Sequence, residues 1–189
     1  ALAREGATVL LVDIDAELRG TILITAVRHG DKDEIDILLA AYQDSSPDLQ
    51  QDITTALSAT KDPATANRIL TKALGPDGFV RSQDVMRWVA LFLRNHHIRA
   101  ATWDFMIKEW DWLEDVLKAS KAFSYLPTYC AGVITTKEWQ KKYSDLFGPK
   151  KQIKAMERNI SIGEADIKAR IAWRTRDEAK IKEWLKQNA

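Results

Sequence analysis

The sequence predicts an all-α protein built from antiparallel helix pairs, and three observations carry that prediction. Apolar residues recur at helical spacing almost everywhere, as in Val85, Trp88, Val89, Phe92 and Leu93, which fall at i, i+3, i+4, i+7 and i+8. Capping residues, prolines and glycines punctuate the chain at intervals suited to short helices. A faint repeat runs through the first half. Ala26–Val27, Ala56–Leu57 and Ala90–Leu91 each end a helix, and Ile37–Leu38, Ile69–Leu70 and Trp103–Phe105 sit in the helix that follows. The repeat spacings of 30 and 34 residues are those of stacked helix pairs, which bury their apolar sides only against neighbours and form a curved, superhelical bowl. No run of strict alternation interrupts this pattern, and the one β-like patch, Val9 to Val12, is isolated.

Read in order, the pattern predicts helices near 15–29, 32–44, 47–60, 63–74, 81–94, 97–109, 111–118, 120–133, 136–147, 150–175 and 177–187. Gly30 stops the first, and Asp31 with Glu34 opens the second at capping-box spacing. Ser46–Pro47 and Asp62–Pro63 each set a capping side chain before a proline at the first helical position. Gly75–Pro76 ends the fourth helix, and the full apolar stripe from Val85 to Leu93 marks the fifth. Thr135 with Glu138 repeats the capping box, and Gly148–Pro149 closes that helix. Ile153, Met156, Ile160, Ile167 and Ile171 form the stripe of the next helix, with Gly163 as its weak point; Ile181, Trp184 and Leu185 mark the last. No Gly-, Ser- or Pro-rich linker divides the chain, which predicts one continuous domain over 1–189. The chain opens at Ala1 without a Met, inside a helical pattern, as a piece cut from a longer polypeptide would.

Composition excludes several classes. With 46% apolar and 29% charged residues, the chain has the balance of a soluble globular protein and not of a disordered one. At 189 residues it should bury roughly 70% of the surface its unfolded chain exposes. The longest apolar run is far too short to cross a bilayer, so no membrane segment is expected, and no basic-apolar-small leader opens the chain. The net charge of +1 gives no general pull toward nucleic acid, but it hides an asymmetry. Residues 1–136 carry 14 Lys/Arg against 19 Asp/Glu, whereas residues 137–189 carry 14 against 8. The basic end reads as a solvated helix face or as a wall facing an acidic partner or a peptide carboxylate.

A search for chemistry finds no catalytic, cofactor-binding or metal site. Zinc on a helix takes two histidines at i and i+4. The three histidines are His29, His96 and His97; on a helix the adjacent pair would point about 100° apart, so they read as turn or surface residues. No phosphate loop, C-x-x-C pair or G-x-S-x-G elbow is present. Cys130, the single cysteine, lies among apolar and small residues and reads as a buried thiol that can form no internal disulfide. The seven tryptophans could stack bases, but Trp103, Trp110 and Trp112 sit among Asp104, Glu109, Asp111, Glu114 and Asp115. That acidic context argues against nucleic acid and for helix-core packing.

The segment from Val80 to Leu113, VRSQDVMRWVALFLRNHHIRAATWDFMIKEWDWL, resembles the C-terminal domain of the aminopeptidase N family of zinc metallo-aminopeptidases. The match rests on Arg81, Gln83 and Asp84, then Asn95, Arg99, Trp103, Phe105 and Trp110, with His97–Ile98 where the family carries a turn glycine. Leu18–Arg19, Ala26 and Gly30–Asp31 resemble the family's opening, and Ile171–Ala172–Trp173 with Glu183–Trp184–Leu185 its close. The resemblance thus covers essentially the whole chain.

It implies a HEAT-like bowl of helix pairs over a separate thermolysin-like catalytic domain of the same polypeptide. The family's H-E-x-x-H and G-x-M-x-N segments are absent here, so zinc would belong to the catalytic domain of the parent. The implied role is a non-catalytic domain, inactive alone, that caps the active site and forms the chamber for peptide substrates. A peptide held at the zinc would extend its carboxylate into the bowl, where Arg99 and Lys137 are the candidate contacts. The alternative is a stand-alone helical-repeat scaffold for protein–protein interaction. Family members occur in the cytosol, in secretory compartments and on membranes, with the cytoplasm slightly favoured for this chain.

Overall fold

A computed structural model describes residues 16–29 and 32–188, and among these residues it contains ten α-helices and no strand. They are α1 (Ala16–His29), α2 (Lys32–Asp44), α3 (Pro47–Leu57), α4 (Pro63–Ala73), α5 (Ser82–Arg94), α6 (Arg99–Lys108), α7 (Trp110–Leu117), α8 (Lys121–Ala131), α9 (Lys137–Phe147) and α10 (Lys154–Asn188), with a 3-10 turn at Gly148–Gln152. The all-α class is therefore as the periodicity predicts. The Val9–Val12 patch, the Gly30 stop and the Asp31 end of the first capping box lie outside the described residues. The chain divides into two compact units, one ending at Leu113 and one starting at Glu114.

In the first unit the neighbours follow the repeat seen in the sequence. First helices of successive pairs pack together, α1 on α3 and α3 on α5, and second helices do likewise, α4 on α6. Consecutive helices also pack, α1 on α2, α2 on α3 and α5 on α6. Ion pairs cross the layers' seams: Arg19 of α1 meets Asp52 of α3 at 2.7 Å, and Asp36 of α2 takes both Arg68 (2.8 Å) and Lys72 (2.9 Å) of α4. These two cations hold the Asp36 carboxyl below its usual pKa, Lys72 contributing most.

The core of this unit is set by α5. Val85, Trp88, Val89, Phe92 and Leu93, the predicted stripe, are all essentially inaccessible. Each such side chain contributes about 1.5–3 kcal/mol of burial. Trp88 stacks on Phe92 at 5.8 Å and meets Tyr42 of α2 edge-on at 5.4 Å, and its Nε1–H donates to the Tyr42 hydroxyl at 3.4 Å. The polar end of each ring is thereby satisfied without leaving the core.

Ser46 and Asp62 cap α3 and α4 as expected, the Ser46 hydroxyl accepting from Leu49 N and the Asp62 carboxylate from Ala64 N and Thr65 N. Three boundaries differ from expectation. α3 stops at Leu57 because the next residues tighten into i→i−3 bonds, Ala59 N to Ala56 O and Thr60 N to Leu57 O. α9 is capped by Thr136, whose hydroxyl accepts from Trp139 N; Thr135 instead accepts from Arg174 at 3.2 Å. The tail is one 35-residue helix with no break near 176. Nothing there interrupts the backbone ladder, and Glu178 bridges the expected gap by pairing with Arg174 (2.9 Å) and Lys182 (2.7 Å).

In the second unit α10 packs on α8 and α9 through Met156, Ile160, Gly163 and Ile167. Gly163 is a contact point here and not a weak one. A Cβ at this position would run into the Tyr143 hydroxyl and come within 3.0 Å of the Ala131 methyl. Tyr143 is buried, stacks near Phe147 (4.8 Å) and donates to Ile160 O at 3.4 Å. Beyond Ile171 the helix is exposed, so the predicted face of Ile181, Trp184 and Leu185 forms but stays uncovered among the described residues. Gly75, after α4, holds the one positive φ among the described residues (102°), which any Cβ would strain.

Trp88→Ala is expected to cost about 3–5 kcal/mol, read as a lower urea midpoint. Gly163→Ala would help an isolated helix by about 1 kcal/mol, yet here it is expected to destabilise by about 1–3 kcal/mol. Adding Tyr143→Phe to that variant should recover part of the loss, because it removes the hydroxyl that the new methyl meets.

Candidate functional site

The residues that carried the resemblance have structural partners, and two of them close helix ends. A helix leaves its last four carbonyls without partners inside the helix. Arg99, opening α6, folds back on α5: its Nε–H donates to Leu93 O at 2.9 Å and a terminal N–H to Arg94 O at 3.4 Å. Burial lowers its pKa from the ordinary value, and a guanidinium still stays charged at any physiological pH. Asn95, just past α5, donates through Nδ2 to Ser58 O (2.9 Å) and Thr60 O (2.6 Å), the carbonyls that follow α3. Its Oδ1 accepts from His97 N at 3.0 Å. One side chain thus ties the α3–α4 turn to the α5–α6 turn. The missing turn glycine is no obstacle, since Ile98 takes a negative φ of −115° and buries its side chain completely. Arg81 pairs with Asp84 at 3.1 Å and reaches Gln50, and Trp103, Phe105 and Trp110 are buried.

The second unit uses the same device. Arg170 of α10 donates to Ala131 O and, at 3.2 Å, to Ile134 O, closing the end of α8. Arg174 holds Thr135 beside it. Lys137 follows this segment as the exposed first residue of α9. Arg99 and Lys137, the two candidate contacts, therefore lie in different units and in different states. The guanidinium of Arg99 is committed to backbone carbonyls, while the Lys137 ammonium stands on an exposed side chain.

His96 and His97 lie in the turn between α5 and α6 and not on a helix, with ring centroids 3.9 Å apart. They line a cavity of about 390 Å³. Its cations are Arg28 from the last turn of α1, Lys61 from the α3–α4 turn and Arg94 from the last turn of α5. Ile24, Ala59 and Leu91 supply apolar wall. The only readable signal was the basic residue ending α1 and α5, and that is also the ordinary complement of a helix dipole. Cys130 is fully buried and its thiol pushed well above the usual range by that burial. Among the described residues no group of three or more His, Cys, Asp or Glu could hold a metal ion, and no helix is long and apolar enough to cross a membrane.

A family model described as ERAP1-like C-terminal domain matches residues 3–169. The chain is 29% identical over 160 residues to aminopeptidase N of Lactobacillus helveticus, covering 84% of this chain and 19% of that protein. It is 26% identical over 175 residues to aminopeptidase N of Lactococcus lactis subsp. lactis, covering 92% and 20%. Against aminopeptidase N of Bos taurus it is 26% identical over 189 residues, covering 93% and 18%. The chain thus spans about a fifth of the length of these curated relatives.

Arg99→Ala is expected to lower stability by about 1–3 kcal/mol, measured by chemical unfolding, because the part-buried Leu93 carbonyl and the exposed Arg94 carbonyl lose their donor. Arg99→Lys should restore only part of it, since an ammonium cannot reproduce the guanidinium fork.

Proposed function

We infer the function from one established fact: the chain belongs to the ERAP1-like C-terminal domain family. Residues 1–189 are the non-catalytic C-terminal domain of an aminopeptidase whose catalytic part, with its zinc, lies in the remainder of a longer polypeptide. The observation that carries this reading is the family match over residues 3–169, together with relatives named aminopeptidase N that are far longer than this chain. A stack of short helix pairs suits the role physically. It forms a stiff wall, and such a wall over an active site excludes water and limits entry to peptide ends.

In this reading the domain caps the active site and lines the chamber that receives the peptide. Lys137 takes the peptide's carboxylate. Its position supports the assignment, because a cation in the first turn opposes the helix dipole and α9 gains nothing from it. Arg99 acts on the peptide through the α5–α6 turn that it holds in place, a positioning role.

The isolated chain is expected to release no amino acid from aminoacyl reporter substrates; turnover by it would overturn the reading. In the full-length protein, Lys137→Ala should raise KM several-fold for peptides of eight or more residues and leave single-residue reporters unchanged. Equal effects on both substrate lengths would remove Lys137 from the chamber.

A further inference from the structure

The cavity at the ends of α1, α3 and α5 carries an inference independent of the peptidase reading. Five of its eleven lining residues bear nitrogen head groups, Arg28, Lys61, Arg94, His96 and His97, and none bears a carboxylate. Cations at helix C-termini ordinarily serve the free carbonyls there. At the end of α5 and after α3 carbonyls are already taken, Leu93 O and Arg94 O by Arg99, and Ser58 O and Thr60 O by Asn95. Elsewhere in the chain cations gather carboxylates, as at Asp36, Asp52 and Glu178. Arg28, Lys61 and Arg94 make no ion pair among the described residues, so like charges face one opening with no carboxylate among its described lining residues.

We propose that this cavity binds a small oxyanion carrying two or more negative charges, of the phosphate or polycarboxylate class. Its volume of about 390 Å³ lies at the small-ligand end of binding sites. Arg28 and Arg94 supply planar guanidinium donors, which match carboxylate and phosphate oxygens, and Lys61 adds a point charge. Ile24, Ala59 and Leu91 lower the local polarity beneath them, which strengthens the attraction. His97 adds charge when protonated. The His97 pKa lies below its ordinary value, through desolvation first and then the fields of His96, Lys61 and Arg28. A bound anion cancels those fields and draws protons onto the imidazole, so binding tightens as pH falls through the range where His97 titrates.

The test is an NMR titration of the histidine ring signals of this chain with inorganic phosphate and, separately, with citrate, against chloride at matched ionic strength. The expected result is saturable shifts at His96 and His97 with phosphate or citrate, and an upward move of the His97 titration midpoint. Saturation by phosphate alone or by citrate alone supports the proposal equally and names the ligand class. Lys61→Ala and Arg28→Ala each remove an exposed side chain, and each should weaken binding roughly tenfold or more while far-UV circular dichroism stays unchanged. Shifts that never saturate, or that chloride reproduces, overturn the proposal. Unchanged affinity in both variants overturns it as well.

Discussion

A helix ends in carbonyl groups that have no partner within the helix, and a chain that stacks many short helices must close every one of those ends. Here the closing groups come from helices or turns further along the chain. Asn95 serves the end of α3, Arg99 the end of α5 and Arg170 the end of α8. Each bond does two jobs at once: it satisfies a carbonyl that burial would otherwise strand, and it fixes the angle at which two helices leave a turn. The apolar core around Trp88 and Phe92 then has defined faces to pack, since the helices that carry it are held at their ends. Packing and capping are thus coupled.

That coupling also sorts the functional candidates. An arginine that closes a helix end cannot at the same time offer its whole guanidinium to a ligand, and Arg99 is in that position. Lys137 is not, and neither are Arg28, Lys61 and Arg94 around the cavity. The distinction rests on where the backbone needs donors. Once Asn95 and Arg99 have supplied them at the ends of α3 and α5, Lys61 and Arg94 are left exposed.

Glycine follows a parallel logic. Gly75 is required by its backbone angle, whereas Gly163 is required by space, because α10 lies so close to Tyr143 and Ala131 that a methyl does not fit. In the sequence both look alike, as interruptions of a helical pattern. The physical demands differ: the first is local and would persist in a peptide, and the second exists only when α8, α9 and α10 come together.

What the sequence by itself determined is what local chemistry controls. The helical class, the buried stripe of α5 and the Ser46 and Asp62 caps were all readable, because spacing along a helix and a side chain's reach to nearby amides are short-range properties. The family was readable too, since Arg81, Asn95, Arg99, Trp103 and Trp110 keep order and spacing. Tertiary structure decided what depends on residues far apart in the chain. It moved the α9 cap to Thr136 by giving Thr135 to Arg174, thirty-nine residues away, and it gave Gly163 a packing role. It also gathered Arg28, Lys61, Arg94 and the two histidines around one opening. Periodicity reports which face of a helix is apolar, but convergence of charges from three helix ends depends on how those helices stack, and no single segment encodes it.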